Sequence, residues 1–166
     1  MEDQGSSFAE EGTCAHALCE IKLRDLLNLP PEPNEFEDLK DKWYDKSMED
    51  YTDEYVTLVY GKYLDAQKKD PNALLFIEKT LDFSSWIPES FGTCDAIIVS
   101  EGEIEVFDFK YGKGVEVSAV ENPQMMIYAL GAMADYDLEY NIKTVRMTIV
   151  QPRVSNFSEW EISMAD

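Results

Sequence analysis

The chain has 166 residues, 45% of them apolar, and carries 34 acidic against 14 basic side chains for a formal net charge of −20. That length builds one core and excludes a second domain, so residues 1–166 are read as a single unit. The charge argues against a protein that grips nucleic acid by bulk positive potential; no apolar run approaches membrane-spanning length, and the N-terminus lacks the basic and apolar regions of a secretion signal, so a cytoplasmic protein that engages no membrane is expected.

In chain order, the first predicted element is a helix over residues 13–28, with Thr13 as N-cap and Pro30-Pro31 as its stop. His16 is the only histidine, and Glu20 follows one turn later on the same face. An imidazole and a carboxylate so spaced can reach one metal, or the carboxylate can orient the ring; a solitary histidine is also an ordinary surface or capping side chain. Residues 32–54 concentrate acidic side chains and read as a solvated insertion, helical or irregular, away from any site. A helix over about 48–69 follows. Cys14, Cys19 and Cys94 form no C-x-x-C pair, which predicts reduced thiols serving as small core residues.

Strands are predicted over about 73–82, 92–100 and 103–110, the last two joined by the turn material Glu101-Gly102-Glu103 as a hairpin. Alternation along a strand puts Asp108 and Lys110 on one face, and the hairpin lets Asp95 approach Asp108. Two carboxylates this close repel unless a cation sits between them; a hard divalent ion such as Mg²⁺ or Mn²⁺ suits oxygen ligands, and the carbonyl of Phe109 could add one. Lys110 is then placed to hold a water and balance charge on a phosphate, the chemistry of phosphodiester hydrolysis by a metal-activated water. A lone Asp-x-Lys is equally the surface pair of many strands. Glu78, in the first of these strands, is another carboxylate that could lie near the site, but an edge-strand surface role is the expectation.

Asn122-Pro123 opens a helix over 122–136, on which Gln124 and Tyr128, i and i+4, share a face and could brace Lys110 or contact a nucleotide. Further strands are predicted over about 143–150 and 157–163, for an α/β sandwich. Ser163-Met-Ala-Asp166 looks like the start of another helix, from which a fragment or trimmed chain is expected.

The motifs Gly12-Thr-x-x-His16, Gly92-Thr-Cys-Asp95, Asp108-Phe-Lys110 and Gln124-x-x-x-Tyr128 occur in the order seen in the PD-(D/E)XK nuclease superfamily. Their arrangement resembles its RecB and Cas4-like branch, and within that a phage and prophage family of RecB-like exonucleases, over about residues 10–162. The resemblance implies a restriction-endonuclease-like core: a central mixed sheet flanked by helices. It implies metal ligands His16, Asp95, Asp108 and the Phe109 carbonyl, catalysis by Lys110 with Asp95 and Asp108, and support from Gln124 and Tyr128. Glu20 could stand behind the ligands, and Glu78 could do so only in place of its expected edge-strand surface role. Some Cas4-like relatives hold an iron–sulfur cluster on four cysteines, mostly beyond the last motif, but nothing after Cys94 could supply a thiolate, so no cluster is expected.

The net charge is the argument against DNA as substrate. Lys110, Lys113, Arg146, Arg153 and a bound metal could supply local positive potential, and a phage recombination partner could deliver the strand. Two readings follow: a Mg²⁺- or Mn²⁺-dependent deoxyribonuclease, exonucleolytic by family analogy, or a catalytically silent, nuclease-derived acidic module that binds a recombination protein or mimics DNA.

Overall fold

A computed structural model describes residues 4–164. The elements run α1 (Gln4–Leu26), α2 (Phe36–Trp43), α3 (Lys46–Lys69), β1 (Leu74–Asp82), β2 (Phe91–Ser100), β3 (Glu103–Phe109), α4 (Pro123–Tyr140), β4 (Thr144–Gln151), a 3₁₀ turn (Pro152–Val154) and β5 (Asn156–Ser163). The five strands form one sheet in sequence order. All neighbours are antiparallel except β3 and β4, which run parallel. A parallel pair needs a crossover, and α4 supplies it. The expected α/β class, a mixed sheet flanked by helices, is the class found.

The sheet separates two cores. On one face α4 packs Met125, Tyr128 and Ala132 over Ile97, Val99, Ile104, Val106 and Met147. On the other, α1 and α3 pack Leu18, Leu23, Tyr55 and Val59 over Ala96, Ile98, Phe107 and Phe109. Burial of side chains of this size stabilises by about 1.5–3 kcal/mol each. Alternation along β3 therefore sends Ile104 and Val106 to α4 and Phe107 and Phe109 to α1 and α3, which puts Asp108 on the α4 side.

Several boundaries differ from expectation. The first helix starts nine residues before Thr13, whose hydroxyl turns back to the Ala9 carbonyl at 2.9 Å and caps nothing; such back-bonding lets a threonine sit inside a helix. The helix ends at Leu26, ahead of Pro30, with Asn28 left-handed at φ 55°. The acidic stretch 32–54 is helical over much of its length and mostly exposed, but it is anchored to the body of the protein. It contributes α2 and the first turns of α3, burying Met48 and Thr52, and Lys22 of α1 binds Glu49, Thr52 and Asp53 at 2.7–3.1 Å. Ser163 closes β5 rather than opening a helix; Ala165 and Asp166 lie outside the described residues. The Asn122 cap is as expected, its side chain accepting from Met125 N. No described helix is long and apolar enough to cross a membrane.

Phe83 and two glycines set the distance from α4 to the sheet. A Cβ on Gly92 would meet the Phe83 ring at 2.7 Å, and one on Gly131 would meet it at 2.9 Å. The ring fits between β2 and α4 only because neither position carries a side chain, and it lies 6.0 Å from the ring of Tyr128. This close approach seats the helix that carries Gln124 and Tyr128.

Candidate functional site

Ala96 pairs with Phe107 in the β2–β3 ladder, so one further antiparallel step sets Asp95 opposite Asp108. Regular pairing stops there, and the Asp95 carboxylate takes the place of a ladder acceptor: its Oδ2 accepts the Phe109 N–H at 2.7 Å. The same oxygen faces His16 Nε2 at 3.4 Å. Both contacts fall on Oδ2, which leaves Oδ1 for another partner. His16 arrives from α1, its Nδ1 2.8 Å from the Gly12 carbonyl one turn earlier and its ring edge-on to Phe109. That carbonyl, and not Glu20, orients the ring. Glu20 lines the same crevice but accepts from Arg24 at 3.2 Å and from Asn34 at 3.4 Å.

On the α4 side, Lys110 Nζ lies 2.7 Å from Asp108 Oδ2 and donates to Gln124 Oε1 at 3.3 Å. Gln124 Nε2 in turn donates to Tyr128 Oη at 3.1 Å. Asp108 is 5% exposed. Its Oδ2 has the ammonium close by but no aligned hydrogen bond. The structure thus brings Asp95, Asp108, Lys110, His16, Gln124 and Tyr128 to one end of β2 and β3, around the backbone of Phe109.

Glu78 is the largest departure from expectation. It has the left-handed φ of 51°, rare for a residue with a side chain. The β1–β2 ladder pairs Ile77 with Ala96 and Lys79 with Cys94, so the one unpaired step between them is Glu78 opposite Asp95. Instead of a place on the outer surface of the edge strand, its half-buried side chain lines a crevice with His16, Cys19, Glu20, Tyr55 and Asp95. Tyr55 was not anticipated; it is buried there with its hydroxyl unpartnered. An orphaned buried hydroxyl is costly and points to a polar occupant or a rearrangement.

The electrostatics follow from this crowding. Burial would lower the His16 pKa, but the hydrogen bond and charge of Asp95, helped by the Gly12 carbonyl and Asp108, outweigh it and hold the ring at about 9. Burial and the charge of Asp95 push Glu78 up to about 7. Burial, then Asp95, also raise Asp108, while Lys110 opposes them. Burial raises Tyr128.

Among the described residues no three His, Cys, Asp or Glu side chains close on one point to hold a metal ion. Asp108 turns its Oδ2 to Lys110 rather than toward Asp95 and His16. The donors nevertheless suit a hard divalent ion: two carboxylates on neighbouring strands, an imidazole nitrogen, and a buried carboxylate oxygen without an aligned donor. The other expected cations are elsewhere or engaged. Arg146 sits toward the opposite end of the sheet among Glu103, Glu105 and Glu161 at 2.7–3.2 Å, and Arg153 is paired with Glu11. Cys14, Cys19 and Cys94 are buried and unbridged.

One solved structure, described as the crystal structure of SSO0001, is similar over 88% of this chain and 75% of its own, at 15% identity and a TM-score of 0.29. A family model described as "Protein of unknown function (DUF2800)" matches residues 1–166, the full length of the sequence, and the chain belongs to that DUF2800 family.

Proposed function

We propose that this chain is a metal-dependent nuclease of the PD-(D/E)XK type, most like the RecB and Cas4-like branch, hydrolysing DNA phosphodiester bonds. The observation that carries the reading is Lys110, held between Asp108 and Gln124, with Asp95 opposite Asp108 on the neighbouring strand. A surface ion pair has no need of a buried carboxylate, a second carboxylate opposite it and a helix that braces the ammonium. Asp95, Asp108, His16 and the Phe109 carbonyl would hold Mg²⁺ or Mn²⁺, which supplies Lewis acidity at a phosphoryl oxygen and makes a water more acidic.

The chain's own groups do the rest. An ammonium has three donors; with Asp108 and Gln124 taking two at most, one remains for a water or a phosphate oxygen. Gln124, itself held by Tyr128, restricts where that donor points. The Gly12 carbonyl fixes which imidazole nitrogen faces Asp95. Preorganised donors of this kind lower barriers because no reorganisation is needed during the reaction. Action from strand ends and a place in phage or prophage recombination come from family resemblance alone.

The test is incubation of end-labelled linear single- and double-stranded DNA with the purified chain and Mg²⁺, Mn²⁺ or EDTA, alongside Lys110→Ala. Metal-dependent degradation that the variant loses supports the reading; absence of both cleavage and Mn²⁺ binding by calorimetry overturns it. The net charge of −20 favours the second reading, a silent acidic module that binds a recombination protein or mimics DNA. That module would bind a basic partner and leave both DNA substrates intact.

A further inference from the structure

We propose that the cavity beside the Lys110 cluster seats one unstacked nucleotide of a single strand, its phosphate on the 112–114 turn and its base against Phe8. This rests on the nuclease reading above and assigns that site a strand path. The cavity, about 390 Å³, lies between the first turns of α1 and the turn that follows β3, with Tyr111 and Arg153 also lining it. It joins the cluster through the chain itself: Gly12, which lines it, anchors His16, and Tyr111 is the residue after Lys110.

Three features define the ligand. The first is charge. Among the described residues ten of the fourteen Lys and Arg side chains are in ion pairs with carboxylates; Lys69, Lys79, Lys113 and Lys143 are not, and of these Lys113 alone lines this cavity. The carboxylate in the cavity, Glu11, is neutralised by Arg153. The second is backbone. Gln151, buried beneath the turn, holds the Gly112 and Val115 carbonyls at 3.2 and 3.0 Å, whereas the amides of Lys113 and Gly114 find no partner among the described residues. Both glycines of the turn are open where a Cβ would be. Two unpaired amides beside an ammonium suit the oxygens of a phosphate.

The third is the walls. Phe8 is 64% exposed at the cavity's edge, and Tyr111 is clamped by Arg153, whose guanidinium lies 4.5 Å above its ring. A phosphate cradle with an exposed aromatic edge matches a nucleotide whose base has left its stack, which single strands offer and duplexes do not.

The experiment is fluorescence anisotropy of a short labelled single strand, and of the same sequence as a duplex, with Ca²⁺ in place of Mg²⁺, for the wild type, Lys113→Ala and Phe8→Ala. Both side chains are exposed, and a thermal melt checks folding. The expected results are tighter binding of the single strand, about tenfold weakening by Phe8→Ala for the single strand only, and a salt dependence shallower by about one ion with Lys113→Ala. Mn²⁺ affinity should not change in either variant. If the wild type cleaves DNA but neither variant weakens binding, the subsite is wrong and the nuclease reading stands; the same holds if the duplex binds as tightly as the single strand. A wild type that binds no strand and cleaves none overturns both.

Discussion

Glu105 and Asp108 stand three residues apart on β3, each 5% exposed, and the protein treats them in opposite ways. Glu105 is satisfied: Lys62 at 2.7 Å, Arg146 at 3.2 Å and Thr148 at 2.8 Å all point at its carboxylate. Asp108 has one cation, an oxygen without an aligned donor, and Asp95 across the strand pair. Burying a carboxylate is costly unless partners compensate. The first arrangement fastens α3 to the sheet and ties β4 to β3. The second is under-compensated in a chain able to build the full set of partners nearby, as reactive sites tend to be.

Lys110→Ala strikes the Asp108 end hardest. On the nuclease reading proposed above, cleavage of single- or double-stranded DNA should fall about 10²- to 10³-fold, the usual cost of removing one preorganised electrostatic group. A variant as active as the wild type would remove the catalytic meaning of the pair. At the other end, Glu105→Gln removes the anion shared by Lys62, which keeps Glu159, and Arg146, which keeps Glu103 and Glu161, and urea denaturation should show a loss of about 1–2 kcal/mol with cleavage intact. Asp108→Asn should hold or raise the midpoint at pH 8 while abolishing cleavage, because burial and Asp95 both disfavour the ionised form. Equal destabilisation by the two substitutions would erase the contrast.

Glu78 sharpens the comparison through pH. Its folded pKa of about 7 lies above the ordinary 4.5, so its contribution to stability is fully present below about 4.5 and is lost as pH rises through 7. Glu78→Gln should therefore be more stable than the wild type at pH 8 by about 2 kcal/mol, with the difference vanishing near pH 4. Melts across that range decide it, and a difference independent of pH would contradict the assigned crowding. The smallest effect is expected from Tyr128→Phe, which removes the acceptor for Gln124. Activity should drop severalfold, and stability by about 1 kcal/mol.

Which parts of this arrangement could be read in advance depended on how local the physics is. Strand alternation aligned Asp108 with Lys110, a short turn brought Asp95 across, and Asn122-Pro123 marked the start of α4; each is a matter of neighbouring residues. The resemblance to known nucleases supplied His16, Gln124 and Tyr128 as a set, and the structure brings them to the same end of the sheet. The Gly12 carbonyl as anchor of His16 was hidden, because it required α1 to begin well before Thr13. Tyr55 was hidden because a tyrosine on an amphipathic helix gives no sign that its hydroxyl lacks a partner. Glu78 was hidden because nothing in Leu74–Leu81 signals a left-handed residue; its step in the ladder lies opposite Asp95, a long-range relation. The acidic run 32–54 is as exposed as its charge suggests, but charge density says nothing about Met48 and Thr52 buried between the charges.

The kink at Glu78 also bears on whether the protein stays dispersed. β1 is an outer strand of the sheet, nine residues long, and a straight outer strand offers its unused amides and carbonyls to any passing chain. A left-handed residue in the middle divides that row into two short pieces that no single extended partner can follow. At the opposite margin, β5 sets Glu159 and Glu161 among its neighbours, charges that discourage the same contact. Straightening position 78 would therefore be expected to favour strand-to-strand aggregation.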